Sequence, residues 1–177
     1  MNVLAIDPGP ERSAWVLYDT ETKRILDHGK DTNASTLNAL YAEIDVGWKC
    51  QPGGPRVHID KVAIEMIASY GMAVGSEVFE TCVWIGRFSG AWCGPGAGRC
   101  LHGEAVRVLR REVKIHLCSS ARAKDANIRA ALIDRFGPGK EKAIGTKKAP
   151  GPLYGVKADV WAAIAVAITF AERRPVG

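Results

Sequence analysis

The chain opens with "NVLAID" (residues 2–7), apolar from Val3 to Ile6 and then abruptly charged. A strand apolar on both faces belongs inside a sheet that is covered on both sides, with Val3 and Ala5 on one face and Leu4 and Ile6 on the other. Residues 13–19 and 23–29 read as two more strands joined through the turn-forming "DTETK", so the chain begins as a three-stranded antiparallel unit. Residues 34–45 carry Leu37, Leu40, Tyr41 and Ile44 at helical spacing, and the breaker-rich "CQPGGPR" (50–56) follows. "KVAIEM" (61–66) predicts a fourth strand, apolar until it reaches Glu65. Beyond it the pattern predicts a helix over 76–90 with Ser76 as N-cap, a helix over 103–113, a short strand over 114–118 and a basic loop over 119–124. A helix over 125–136 follows, capped by Asp125 and ended by Gly137. Residues 137–156, rich in Gly, Pro and Lys, predict a mobile surface loop. The closing segment, 157–174, is apolar nearly all round its middle, which predicts a helix buried against the sheet. Neither a repeat nor a domain boundary interrupts this pattern, and residues 1–177 read as a single domain.

Composition adds constraints. With 47% hydrophobic and 24% charged residues the chain is ordinary for a globular protein, and no run of eighteen apolar residues predicts a membrane span. "MNVLAID" lacks the basic start and small-residue cleavage site of a secretory signal, so the expected location is the cytoplasm. Five scattered cysteines (Cys50, Cys82, Cys93, Cys100 and Cys118) read as reduced thiols. Cys93, Cys100 and His102 lack the CxxC spacing of a zinc knuckle, and that stretch reads as a Gly-rich loop. The net charge of +5 is unevenly spread: residues 122–148 hold eight basic and three acidic side chains, a surplus of five in one segment. Such a patch suits a polyanionic partner; a solvated lysine-rich loop is the alternative.

The candidate chemistry lies in the acids. Two buried strands each end in one carboxylate, Asp7 and Glu65. On the second strand Ala63 and Glu65 share a face. If the strands are parallel neighbours, the acids lie side by side, and both stay ionised only with positive charge between them. All-oxygen ligands favour Mg²⁺ or Mn²⁺. Asp159, in the first turn of the closing helix, fits either a helix N-terminal acid or a third ligand. Glu65 likewise fits a surface strand end. Three carboxylates at the polar ends of buried elements, with a basic surface, point to phosphodiester chemistry, in which metal ions activate the attacking water and stabilise the leaving oxygen. The four histidines (His28, His58, His102 and His116) form no triad pattern.

"AIDPG" on the first strand, "VAIE" on the fourth and "KADVWAAIAVAI" on the closing helix resemble the RuvC-like Holliday junction resolvases. "EVFETCVWIGRF", "HLCSSARAKDANIRAALIDRFG" and "GTKKAPGPLYGVKADVWAA" resemble in particular the shorter RuvC-like endonucleases of bacteriophages, and the likeness runs from residue 3 to about residue 170. The resemblance implies an α/β, ribonuclease-H-like (RNase H-like) fold with a mixed five-stranded sheet of order 3-2-1-4-5 flanked by helices. It implies a homodimer holding a four-way DNA junction in the cytoplasm (the host's, if phage-encoded). Each subunit nicks one strand with one or two Mg²⁺ or Mn²⁺ ions. Asp7, Glu65 and Asp159 are then metal ligands. The family's closing helix carries two aspartates three residues apart; here Val156 stands at the first. Three acids then suffice, or Asp125 fills in, although a helix N-cap is the simpler role for it. Lys157 is a candidate for the scissile phosphate, and Tyr70 for stacking on a base at the opened junction. Arg122, Lys124, Lys140, Lys142, Lys147 and Lys148 are candidate phosphate contacts, which position DNA without reading its sequence. The helix with Val78, Phe79, Val83, Trp84 and Phe88 is a candidate for the dimer contact; the same residues would equally well make a monomer's core.

Two other readings stay open. The missing acid at Val156 fits a junction-binding protein without nuclease activity. A nucleotide-handling enzyme of the actin or sugar-kinase type also begins with a strand, an aspartate and a glycine. Against it, Pro8 and Pro10 remove amide donors from the turn that would bind phosphate, and no second glycine-rich loop follows.

Overall fold

The computed structural model describes residues 1–43, 47–50, 56–68, 71, 74–94 and 102–173. β1 (Asn2–Asp7), β2 (Arg12–Asp19) and β3 (Arg24–Thr32) form the expected antiparallel start, followed by α1 (Asn33–Glu43). A two-residue ribbon, β4 (Trp48–Lys49) with β5 (Arg56–Val57), flanks the breaker-rich stretch. β6 (Lys61–Met66) and α2 (Ser76–Cys93) come next, then β7 (Val106–Leu109), α3 (Arg110–Cys118), α4 (Asp125–Phe136), α5 (Lys140–Ala143) and α6 (Val160–Glu172). The main sheet has the order β3-β2-β1-β6-β7, with β1, β6 and β7 parallel. This is the expected order 3-2-1-4-5; only the ribbon changes the labels.

β1 is covered on both sides. Val3 and Ala5 belong to the core under α6, whereas Leu4 and Ile6 belong to the core under α1 and α2, and all four are fully buried. α6 is the most apolar helix: Ala163 through Ile168 are buried without interruption because β1 and β2 lie beneath it and α3 and α4 flank it.

Several expectations are corrected. The helix expected over 103–113 and the strand over 114–118 occur in reverse order. Val106 and Val108 are β-branched and alternate, so they make β7, which pairs in parallel with β6 (Glu65 opposite Val108). The helix starts at Arg110, where the Glu112 carboxylate accepts the Leu109 N–H (2.6 Å), and it buries Val113 and Leu117, one turn apart. Gly75, not Ser76, stands at the N-cap of α2. At α4 the side chain of Asn127 accepts the Lys124 N–H (2.9 Å), so the cap does not rest on Asp125. The segment expected to be a mobile loop is built: it holds α5, a Gly145–Pro150 bridge and the fully buried Leu153. Gly145 has φ +70, and a Cβ there would lie 2.2 Å from the Ala149 carbonyl oxygen, so this turn closes only around glycine. Cys82 and Cys118 are free thiols and Cys50 is buried, but Cys93 is disulfide-bonded, against the expectation of thiols throughout. Among the described residues no helix is long and apolar enough to cross a membrane.

The turn after β1 is fixed by one buried amide. The Asn33 side chain donates to the Gly9 carbonyl (2.9 Å) and accepts from the Ser13 hydroxyl (2.6 Å), while its own N–H donates to the Glu11 carbonyl (3.0 Å). Both side chains are buried. A Cβ on Gly9 would lie 2.6 Å from the Arg12 carbonyl oxygen, so the chain reverses here only without a side chain. Asp7 thus leaves β1 on a clamped backbone.

Candidate metal centre and nucleic-acid interface

Strand register places the acids. Ile6 pairs with Ile64 across the parallel β1–β6 ladder, which puts Asp7 beside Glu65. Both follow the parity of Ala5 and Ala63, so both face α6. α6 begins over the same strand ends, and Asp159 stands at its N-cap position. Just before it Ala158 has φ +44, a left-handed conformation that L-residues avoid, and it lines the same cleft. The cleft holds about 300 Å³ and is lined by Asp7, Glu65, Arg110, Asp125, Ile128, Ala158, Asp159, Trp161 and Ala162.

The charges divide into an inner pair and two outer acids. Asp7 and Glu65 are the inner pair, side by side at the ends of β1 and β6. Burial, and then the charge of Glu65, push the Asp7 carboxyl up to about 8, opposed by Arg110. Glu65, whose side chain is only 12% exposed, is also raised by burial, with Arg110 pulling the other way. The guanidinium of Arg110 lies 3.4 Å from Glu65 and 2.5 Å from Asp125, bridging the two. Asp159 is ion-paired with Lys30. The pairing follows from the sheet: Lys30 lies opposite Ala14, and Ala14 opposite Asp7, so the three form one row across β3, β2 and β1. Among the described residues no three acidic, histidine or cysteine side chains converge on one point. Lys30 holds Asp159, and Arg110 holds Asp125.

The donor set suits a hard divalent cation. Two adjacent buried carboxylates carry more negative charge than the single guanidinium of Arg110 balances, and with oxygen donors only they suit Mg²⁺ or Mn²⁺, which would supply the rest. Asp7 and Glu65 would hold such an ion, with Asp159 and Asp125 within the same cleft.

The other sequence candidates scatter. Lys157 is exposed and does not line the cleft. Val156 is packed in the core, so no side chain there reaches the acids. Tyr70 lies outside the described residues, as does Cys100. Arg122 and Lys124 are exposed next to the N-terminus of α4, on the cleft side. Lys140, Lys142, Lys147 and Lys148 are exposed too, but their loop folds under the other end of α4. There Pro150, Gly151 and Pro152 share a hollow with Lys23, Arg24 and Arg135, at the end of the sheet away from Asp7. Seven residue steps lead from Lys23, just before β3, to Lys30, a span of about 20 Å.

Sequence reasoning missed Arg110, Lys30, Arg111 and Lys114. Arg110, Arg111 and Lys114 line a depression of about 270 Å³ next to the cleft. The signal was the strand "VRVL" parallel to "VAIE", which delivers its following residues to the edge where Glu65 ends; reading 103–113 as a helix concealed it. A larger hollow, about 610 Å³, lies on the α1 side and is lined by Trp15, Asp27, Asp31 and Trp48. The Trp15 indole N–H is already taken by Asp31 (2.8 Å). Asp27 and Asp31 stand about 13 Å apart along β3, too far to act together.

No family model matches the sequence, and no curated protein matches it. Among solved structures the chain is similar to Thermus thermophilus RuvC, with 19% identity, a TM-score of 0.61 and coverage of 97% of this chain and 93% of that one. It is also similar to T. thermophilus RuvC in complex with Holliday junction substrate, with 18% identity, a TM-score of 0.55 and coverage of 97% and 92%. Identity this low speaks for the fold: the chain has the RuvC fold, an RNase H-like α/β architecture with a mixed five-stranded sheet between helices.

Proposed function

We propose that this chain is a single-domain, divalent-metal-dependent endodeoxyribonuclease that acts in the cytoplasm and nicks four-way DNA junctions and other branched DNA. The observation that carries the reading is one cleft, at the ends of two parallel strands, that Asp7, Glu65, Asp125 and Asp159 all line. In this reading Asp7, Glu65 and Asp159 would hold Mg²⁺ or Mn²⁺. The ion supplies Lewis acidity to the phosphodiester. Asp7 orients the reacting centre from a backbone clamped by Asn33, and Lys157 contacts the phosphate beside it. Arg122 and Lys124 take backbone phosphates near the cut, and Tyr70 stacks on an opened base. Lys140, Lys142, Lys147 and Lys148 take an arm of the junction about 20 Å away, roughly six base-pair rises.

The test is a labelled synthetic four-way junction incubated with Mg²⁺, Mn²⁺ or EDTA, beside a linear duplex. Paired nicks near the branch point are expected, metal-dependent and lost in Asp159→Asn. Binding should fall steeply with salt, and changing the four loop lysines to Gln should flatten the slope of log K against log[salt] by up to about 3–4. Linear duplex cut as well as junctions would overturn the structure selectivity. The buried Val156 favours one second reading, a junction-binding protein without nuclease activity; tight binding with no cut in either metal would establish it.

The homodimer rests on α2. Phe79 and Val83 are exposed one turn apart, and Tyr41 is exposed on α1, which packs against α2. Exposed large apolar side chains on two packed helices fit a partner face. Phe79→Glu is expected to convert a dimer to a monomer in sedimentation equilibrium without lowering the thermal midpoint of the monomer. A wild-type chain that sediments as a monomer at tens of micromolar would remove the dimer from the proposal.

A further inference from the structure

We propose that Arg110 is the resident counter-ion of Glu65, which a divalent cation displaces on entering the cleft, and that Asp125 retains the released guanidinium at the cleft mouth. The inference rests on the metal-centre reading above and adds a role for a residue outside it. The geometry is graded from inside outwards. Glu65 is 12% exposed, Arg110 29% and Asp125 81%, so the guanidinium stands between an inner carboxylate and an outer one. Its contact to Asp125 is 2.5 Å and its contact to Glu65 is 3.4 Å, so the outer partner is already within hydrogen-bond reach. Arg110 is the first residue of α3, directly after β7, whose register sets Leu109 opposite Met66. Its backbone is therefore fixed, and a shift of the guanidinium from Glu65 towards Asp125 needs only side-chain rotation.

Charge explains why such a residue is needed. Without a cation the cleft gathers four carboxylates, and Arg110 and Lys30 each neutralise part of that charge from opposite flanks. A guanidinium brings one positive charge in a planar fork; a divalent cation brings two at a point. The cation therefore competes for Glu65, and Asp125 offers Arg110 a partner as it leaves. The consequence is a cation affinity lower than the carboxylates alone would give.

The experiment measures Mn²⁺ binding to EDTA-treated, dialysed full-length protein by the electron paramagnetic resonance signal of free Mn²⁺, with thermal unfolding run on every variant. Arg110→Gln is expected to bind Mn²⁺ at least about tenfold more tightly than wild type, because a like charge has left the site. Arg110→Lys keeps the charge and is expected to stay close to wild type. Tightening sets this apart from a structural role, since damage to the site weakens binding. Unchanged or weaker binding in Arg110→Gln overturns the inference, and so does equal tightening in Arg110→Lys, which would make bulk the cause. Asp7→Asn separates the two levels. If wild type binds Mn²⁺, Asp7→Asn does not, and Arg110→Gln leaves affinity unmoved, the metal centre stands and the counter-ion falls. If neither wild type nor Arg110→Gln binds Mn²⁺, the metal reading fails and the inference with it.

Discussion

Asp7→Asn is expected to stabilise the cation-free protein at pH 8 while abolishing junction nicking. Burial and the neighbouring Glu65 raise the Asp7 carboxyl from an ordinary 3.8 to about 8. The native state therefore holds a proton that the unfolded chain releases. Stability from this group is complete below about pH 4 and is lost as pH rises towards 8, where the native site must either ionise against Glu65 or retain a costly proton. Every pH unit that separates native from unfolded titration corresponds to about 1.4 kcal/mol, so a cost of a few kcal/mol at pH 8 is expected. An asparagine accepts no charge and avoids it. At about 2–4 °C per kcal/mol for a chain of this size, the variant should melt roughly 5–10 °C higher at pH 8 in EDTA and close to wild type at pH 4. Saturating Mg²⁺ should stabilise wild type and not the variant, which narrows the gap. A variant that melts lower than wild type at pH 8 in EDTA would mean that the two carboxylates are not in electrostatic conflict. Destabilisation held at a working site is the usual trade of stability for function.

Asn33→Leu is expected to cost about 2–4 kcal/mol, because the buried Ser13 hydroxyl and Gly9 carbonyl each lose their partner. Urea unfolding reads this directly as a lower midpoint at unchanged slope. Ser13→Ala in the Asn33→Leu background should recover part of the loss, since one orphaned group is then gone. Nicking should fall as well, because the turn that follows Asp7 loses its clamp. A neutral Asn33→Leu would show that the turn is held by Gly9 and the prolines without the amide.

Much of the fold was legible because period and parity are local. An apolar run such as Val3–Ile6 declares a central strand, and the two-residue alternation fixes that Asp7 shares a face with Ala5, and Glu65 with Ala63. α4 is recovered residue for residue, and the apolar "VWAAIAVAITF" could lie only under cover. The exchanged order around residues 103–118 shows where such reasoning stops. The apolar positions of "GEAVRVLRREV" fit a helix as well as a strand, and only the open edge of β6 decides for β7. The supposedly mobile loop shows the same limit: few apolar residues mark it, yet Leu153 and the Gly145 turn anchor it through contacts that no period encodes.

For the site, the sequence by itself determined the carboxylate at the end of each buried strand and the acid that begins the last helix. Those positions follow from hydrophobic pattern alone. Only the tertiary structure decided what faces them. Lys30 reaches Asp159 across 129 residues of chain, and Arg110 reaches Glu65 across 45. Both pairings depend on strand register and on the reach of long side chains, which spacing along one segment does not carry. The same holds for the basic loop, whose charge is plain in the sequence but whose place, at the far end of the sheet from Asp7, is set by how α4 and α5 pack.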